Sequence, residues 1–304
     1  MKPDRSCANK SGQIHLLTTI DNTAEVSNEE RNVMNRREFA RTISAFSSVM
    51  ASAGMAQAQT QAKPAEMNHP MPAKPEEIAM LIYPGMTALD LIGPQQVFGY
   101  LMGCNVHLVA KTAELVTSDT GVSIKPTKTF GECPNALDIL FVPGGGIGTI
   151  HLMKDAETLT FLAERAKNAK WVTSVCSGSL VLAAAGLLRG YKATSHWSVR
   201  DVLADFGSEP VSQRVVEDRN RITSGGITAG IDFGLRIAGR LRGQEYAQAL
   251  ELTLEYDPQP PFHTGTPETA PPNVLSQMKQ MYAPLAASAR AVAGQQSTQP
   301  VPRG

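Results

Sequence analysis

A net charge is what this chain most plainly lacks: 28 Lys and Arg balance 28 Asp and Glu across 304 residues. No basic field therefore steers it toward nucleic acid or an anionic membrane surface. No run of 18 or more apolar residues occurs, so there is no candidate transmembrane helix and no stable membrane association is expected. Aromatics are sparse at 6% against 42% hydrophobic residues, the balance of an ordinary soluble α/β protein. Internal repeats are absent. Cysteine is scarce as well: Cys7, Cys104, Cys133 and Cys176 are the four.

What is present begins at residues 34–41, "MNRREFAR", where Arg36 and Arg37 are paired. A mildly apolar Ala- and Ser-rich stretch follows and ends in Ala56-Gln57-Ala58. A basic region, a weak apolar region and a small-x-small site make a secretory signal over 34–58. The arginine pair makes it similar to a twin-arginine signal, which implies the twin-arginine export machinery, a periplasmic location and cleavage near Ala58. The alternative is an ordinary amphipathic helix. Residues 1–33 have no signal character and read as a non-native or disordered extension upstream of Met34. Cleavage would leave Cys104, Cys133 and Cys176. An odd count in an oxidising compartment leaves at least one thiol free. Whether Cys104 and Cys133 pair stays open.

Residues 59–75, punctuated by Pro64, Pro70, Pro72 and Pro75, form a polar linker. Apolar stretches at 78–85, 106–112, 137–146 and 171–175 then alternate with helical patterns, as at 155–168, where acids come early and Arg165 and Lys167 late. "LVTSDTGVSIKPTKTF" reads as a hairpin, and "VVEDRNRITSGG" as an antiparallel pair turning at 218–220. Near-continuously apolar strands separated by helices predict a mostly parallel sheet covered on both faces, in one domain over 76–256. The tail, 257–304, is rich in Pro, Ala, Gln and Ser and shows no helical period; its first part is expected to pack on the domain and the remainder to be disordered.

Three groups stand where open α/β sheets collect ligands, at the carboxyl ends of strands. In "VTSVCSGSLVLAAAG" (172–186) a buried strand stops at Cys176 and a small-residue helix starts at once. A helix N-terminus favours thiolate over thiol, and such sites lower a cysteine from about 8.5 to roughly 3.5–7.5. Cys176 is therefore expected as an ionised nucleophile on a strained turn, with Ser177 and Gly178 small enough to permit it. The competing reading is a buried core thiol. Gly144-Gly145-Gly146 ends another strand. The N–H groups of Gly145 and Gly146, with that of Ser177, are placed to stabilise negative charge, or the glycines simply permit a strand exit. "GGGIGT" lacks the rest of a dinucleotide fingerprint. Asp90, among apolar residues in "ALDLIGP", is either a proton-relaying carboxyl or a helix N-cap. His196 in "TSHW" is a second base or a loop anchor. Thr228 and Asp232 read as cap and helix-packing residues.

Together, "YPGMTALDLIGPQQVF", "LDILFVPGGGIGT", "VCSGSLVLAAAGLLRGYKATSHW", "ITSGGITAGIDFGL" and "LEYDPQPPFHTGTP" resemble the PfpI-like branch of the class I glutamine amidotransferase-like superfamily, and within it the isonitrile hydratases. The resemblance implies a flavodoxin-like three-layer sandwich, a homodimer, a small-molecule substrate, and no metal or organic cofactor. It implies hydration of R–N≡C to an N-substituted formamide, with Cys176 attacking the isonitrile carbon, Asp90 relaying protons and Ser177 assisting. Ser177 stands where the family usually carries threonine, keeping the hydroxyl and losing the methyl. Rival readings are a peptidase, glyoxalase-like or stress-protective member, and a sensor module like that of AraC-type regulators, whose DNA-binding region finds no counterpart in the 48 residues after Tyr256.

Overall fold

The apolar runs within 78–85, 137–146 and 171–175 become the middle of a sheet and are largely buried on both faces, while the run at 106–112 is only partly covered. The computed structural model describes residues 72–297; the signal over 34–58, the extension over 1–33 and most of the linker lie outside them. Strand β1 (Glu76–Leu81) precedes helix α1 (Ala88–Tyr100) and β2 (Cys104–Ala110). Two short strands, β3 (Val116–Thr117) and β4 (Ser123–Ile124), form the expected hairpin, and β5 (Lys128–Thr129) returns to the main sheet. Then come β6 (Leu137–Val142), α2 (Gly146–Leu152), α3 (Ala156–Ala166), β7 (Ala169–Val175) and α4 (Gly178–Ala184). Short β8 (Lys192–Ala193) and β9 (Glu209–Pro210) flank a 3-10 helix at Arg200–Phe206. The pair β10 (Val215–Asp218) and β11 (Arg221–Ser224) leads into α5 (Ala229–Arg242), α6 (Gln244–Thr253) and α7 (Pro272–Ser297).

The main sheet runs β10-β11-β7-β6-β1-β2-β5, and every neighbouring pair is parallel except β10 with β11. Ile78, Met80, Ile139, Phe141, Val142, Val172 and Val175 have no exposed surface at all. Helices α1, α5 and α6 pack together on one side, while α2, α3, α4, the 3-10 helix and α7 pack together on the other. The fold is thus the three-layer α/β sandwich. On the first side Phe98, Phe141 and Phe233 cluster with ring centroids 5.7–6.5 Å apart.

The tail departs from expectation. Residues Pro272–Ser297 form one helix, so the folded unit extends past residue 256. Its buried or half-buried positions Tyr282, Leu285, Ala286, Ala289, Val292 and Ala293 recur with helical spacing and lie against the domain. Three of these six are alanines, a weak apolar signal, and Pro284 looks like a helix breaker. Pro284 is exposed, and tertiary packing outweighs the roughly 3 kcal/mol that an interior proline costs.

Cys104 and Cys133 are free thiols, not a disulfide. Cys104 donates to Glu76 Oε2 at 3.3 Å beside the buried Arg242, and Cys133 donates to Pro134 O at 3.7 Å. Burial first, then the neighbouring Glu76 carboxylate, push the Cys104 thiol up to about 12, so it stays protonated.

Candidate active site

The corner after β7 is built to hold one residue in an unfavourable backbone conformation. Cys176 has φ of 58°, the left-handed region that costs a non-glycine residue about 1–3 kcal/mol. Several bonds fix it there. Its N–H donates to Ser224 O at 3.0 Å, and its own carbonyl accepts from Ser179 Oγ at 3.2 Å and Ser195 Oγ at 3.0 Å. Gly178 is needed next door, because a Cβ there would strike the carbonyl oxygen of Val142. The turn throws the sulfur into a small cavity of about 160 Å³, where Cys176 remains only 6% exposed.

Asp90 lies directly behind that sulfur. It sits in the first turn of α1, completely buried, and Thr87 rather than Asp90 is the N-cap. Asp90 Oδ2 accepts the Gly144 N–H at 3.1 Å, Oδ1 has no hydrogen-bond partner, and the carboxyl and the Cys176 thiol are near enough to shift each other's protonation. Burial raises the carboxyl to about 7, against the lowering effects of the thiol and the Gly144 N–H, and nearby Asp119 adds to the rise.

The expected thiolate is not what this geometry produces. Burial and then the Asp90 charge push the Cys176 thiol well above its ordinary value. The N–H and hydroxyl of Ser177 act in the opposite sense but are outweighed. The resting pair is a neutral thiol against a carboxyl that titrates near neutrality. Helix α4 spans only seven residues and cannot offset the desolvation of a sealed sulfur.

Ser177 Oγ accepts the Gly145 N–H at 3.1 Å and lies 2.9 Å from Thr149 Oγ1. Behind Thr149, Tyr83 donates its single hydroxyl proton to Pro143 O at 2.9 Å and is 3.3 Å from Thr149 Oγ1. Tyr83 can therefore only accept from Thr149, and either Thr149 or Ser177 is the donor across their 2.9 Å contact, which together with the Gly145 N–H holds Ser177 Oγ in place by the Cys176 thiol. The Gly145 N–H is engaged by Ser177 rather than aimed at a substrate, and Gly146, with φ of 44°, is the loop glycine that lines the cavity.

His196 also lines the cavity. Its Nδ1 lies 2.7 Å from Ser198 Oγ, and burial pushes the imidazole down to about 4, so it is neutral at physiological pH. Thr228 caps α5, and Asp232 pairs with Arg214 at 2.6 Å and accepts from Tyr256 Oη at 3.0 Å, so both serve structure, outside the cavity lining. Among the described residues no three His, Cys, Asp or Glu side chains converge as metal ligands would.

The profile of the DJ-1/PfpI family matches residues 76–240, more than half of the chain. The chain belongs to the DJ-1/PfpI family. It is 50% identical to isonitrile hydratase of Pseudomonas putida over 209 residues, covering 68% of this chain and 90% of that protein. It is 31% identical to the HTH-type transcriptional regulator GbdR of Pseudomonas aeruginosa over 196 residues, covering 62% of this chain and 53% of the regulator. A THiJ/PfpI family protein from Pseudomonas syringae superimposes with a TM-score of 0.73 at 52% identity, covering 80% of this chain and 99% of that one.

Several residues of this DJ-1/PfpI site carry no sequence signal of their own. Asp119, from the β3–β4 turn, accepts from Thr87 Oγ1 at 2.7 Å and the Ala88 N–H at 3.4 Å, capping α1 from another segment while lining the cavity. Gly226 lets the loop after β11 cross the sulfur, since a Cβ would stand 2.6 Å from Cys176 Sγ and 2.8 Å from His196 Cδ2. Tyr282 and Leu285 reach the cavity from α7.

Two substitutions follow from this packing. Thr149→Val keeps the shape and removes the hydroxyl that holds Ser177 Oγ, so turnover falls about tenfold, in kcat more than KM, the worth of one hydrogen bond. Thr149→Ser restores it. Gly144→Ala places a Cβ 2.7 Å from Asp90 Oδ2, Ser177 N and Ser177 Oγ at once. It is expected to lower stability by about 1–3 kcal/mol, measured by denaturant titration, and to cut turnover more than a hundredfold.

Proposed function

We propose that this chain hydrates isonitriles, converting R–N≡C and water to an N-substituted formamide. The observation that carries the reading is a buried thiol coupled to a buried carboxyl at a small cavity, in a chain 50% identical over 209 residues to an isonitrile hydratase. An isonitrile is neutral and slender, and its terminal carbon accepts both a nucleophile and a proton. It needs no leaving group and no strong external base.

The reaction runs in two halves. Asp90, as carboxylate, takes the thiol proton while Cys176 Sγ bonds to the terminal carbon, and returns that proton to the same carbon. The product is a thioimidate, Cys176–S–CH=N–R. Asp90 is then a free carboxylate beside the adduct. It removes a proton from an incoming water as the water oxygen bonds to the thioimidate carbon, and the nitrogen is protonated. The resulting S–CH(OH)–NHR collapses: the C–S bond breaks, the hydroxyl proton departs, sulfur recovers its proton and the formamide leaves. Ser177, through its N–H and its hydroxyl, supports charge on sulfur in both halves. Proton transfer by a positioned group contributes about 10²–10⁴-fold.

The test is to incubate the protein with cyclohexyl isocyanide and follow N-cyclohexylformamide. Formation well above the uncatalysed rate is expected. Inactivity toward several isonitriles together with methylglyoxal or peptide turnover would overturn the assignment.

A further inference from the structure

The lining of the cavity at Cys176 mixes two chemistries: Thr87, Asp119, Ser177 and His196 are polar, while Val199, Ile227, Tyr282 and Leu285 offer carbon surface. Under the isonitrile reading, on which this inference rests, the N-substituent is the part of the substrate that suits the carbon surface. Two of those four residues come from α7, which begins at Pro272, beyond residue 240 where the family match ends.

Helix α7 is held firmly enough to act as a wall. Ala289, Val292 and Ala293 are buried against the domain. Arg290 pairs with Asp205 of the 3-10 helix at 2.6 Å. Tyr282 is fixed by two rings of the loop after β8: its centroid is 5.2 Å from His196 and 5.7 Å from Trp197, the latter edge-on. Alanines at the helix contacts bring its backbone close, so the long Tyr282 and Leu285 side chains project into space that is already small. The cavity volume is only about 160 Å³.

We infer that Tyr282 and Leu285 set the upper size of the N-substituent this site accepts, making α7 a specificity element. A change of one methylene in an apolar pocket alters discrimination by about 10–200-fold, and removing a phenol ring or an isobutyl group exceeds that change in volume.

The experiment uses the full chain as Tyr282→Ala, Leu285→Ala and Tyr282→Phe, the last retaining the ring. Values of kcat/KM are measured for methyl, cyclohexyl and 1-adamantyl isocyanide. In parallel, alkylation of Cys176 by iodoacetamide and by N-(1-pyrenyl)maleimide is followed on the Cys176 peptide by mass spectrometry, which separates it from Cys104 and Cys133. The alanine variants are expected to raise the adamantyl-to-methyl ratio and the pyrenyl-to-acetamide ratio at least tenfold, and Tyr282→Phe to leave both near the parent's. Ratios unchanged in Leu285→Ala and Tyr282→Ala overturn the inference. So does an equal acceleration of small and large reagents, which would make α7 a cover and not a sieve. If the parent turns over no isonitrile yet the alkylation ratio shifts as expected, the role of Tyr282 and Leu285 as a size limit at Cys176 stands while the hydratase reading falls, and with it the assignment of the limit to an N-substituent. Leu285→Ala carries the test should Tyr282→Ala fail to fold.

Discussion

Cys176→Ala is expected to bring isonitrile hydration down to the uncatalysed rate, a loss on the order of 10⁴ or more, as when an enzyme loses its nucleophile. Nothing else at the cavity can take its place. Cys104 is buried elsewhere beside Glu76 and Arg242, and Ser177 Oγ is occupied by Gly145 and Thr149. The fold should survive, because removing a buried sulfur costs about 1 kcal/mol, comparable to a methylene. Cys176→Ser should be nearly as inactive. A hydroxyl is a far weaker acid than a thiol, and a carboxylate titrating near 7 cannot deprotonate it in a sealed site. Turnover by either variant within tenfold of the parent would remove covalent catalysis from the scheme.

Asp90→Asn carries the second large effect, and it acts on activity and stability in opposite directions. Activity should fall by about 10²–10⁴-fold, because the amide cannot accept the thiol proton. In the parent, kcat/KM should rise with pH through about 7 as Asp90 ionises, and that limb should vanish in the variant. For stability, the folded carboxyl at about 7 lies above its unfolded value of about 3.9. The folded state therefore binds the proton more tightly. Stability contributed by this group is full at low pH and declines as pH rises from about 4 to about 7, where a buried carboxylate must be tolerated. Asp90→Asn escapes that decline, so its melting temperature should exceed the parent's at pH 8 and converge with it near pH 4. A variant less stable than the parent at pH 8 would show that Asp90 is a structural anchor and not a strained acid.

The individual strands and the chemical corner were both legible in the chain because each has a local cause. Buried strands read as unbroken apolar runs, and "VCSGS" declares a turn by putting two small residues after a cysteine. Asp90 stood out as an acid among apolar neighbours. What was not legible came from distance or from competition between effects. Asp119 and Thr149 are ordinary polar residues until the fold brings one to the start of α1 and the other under Ser177. Tyr282 and Leu285 lie more than a hundred residues from Cys176 in sequence, on a helix whose buried stripe is largely alanine and whose exposed face carries Pro284. The ionisation of Cys176 was misread for a different reason. Reasoning from the helix N-terminus weighs one favourable field, whereas the folded site sets that field against desolvation and a facing carboxyl, which together are stronger.

The same competition explains how the site can be both quiet and reactive. A neutral thiol beside a carboxyl near its midpoint is a poor target for stray oxidants or alkylators, since thiolate is the reactive form. A substrate whose carbon accepts a proton lets sulfur and Asp90 act together, so no free thiolate need accumulate. Cys104 stays protonated through burial and Glu76 and remains inert.

Mass spectrometry of the protein quenched in acid during turnover of cyclohexyl isocyanide puts the covalent step to the sharpest test. The whole mass of the isonitrile should appear on the peptide bearing Cys176, because addition expels nothing. Product accumulating with that peptide unmodified, or with the added mass on Cys104 or Cys133, would contradict the account.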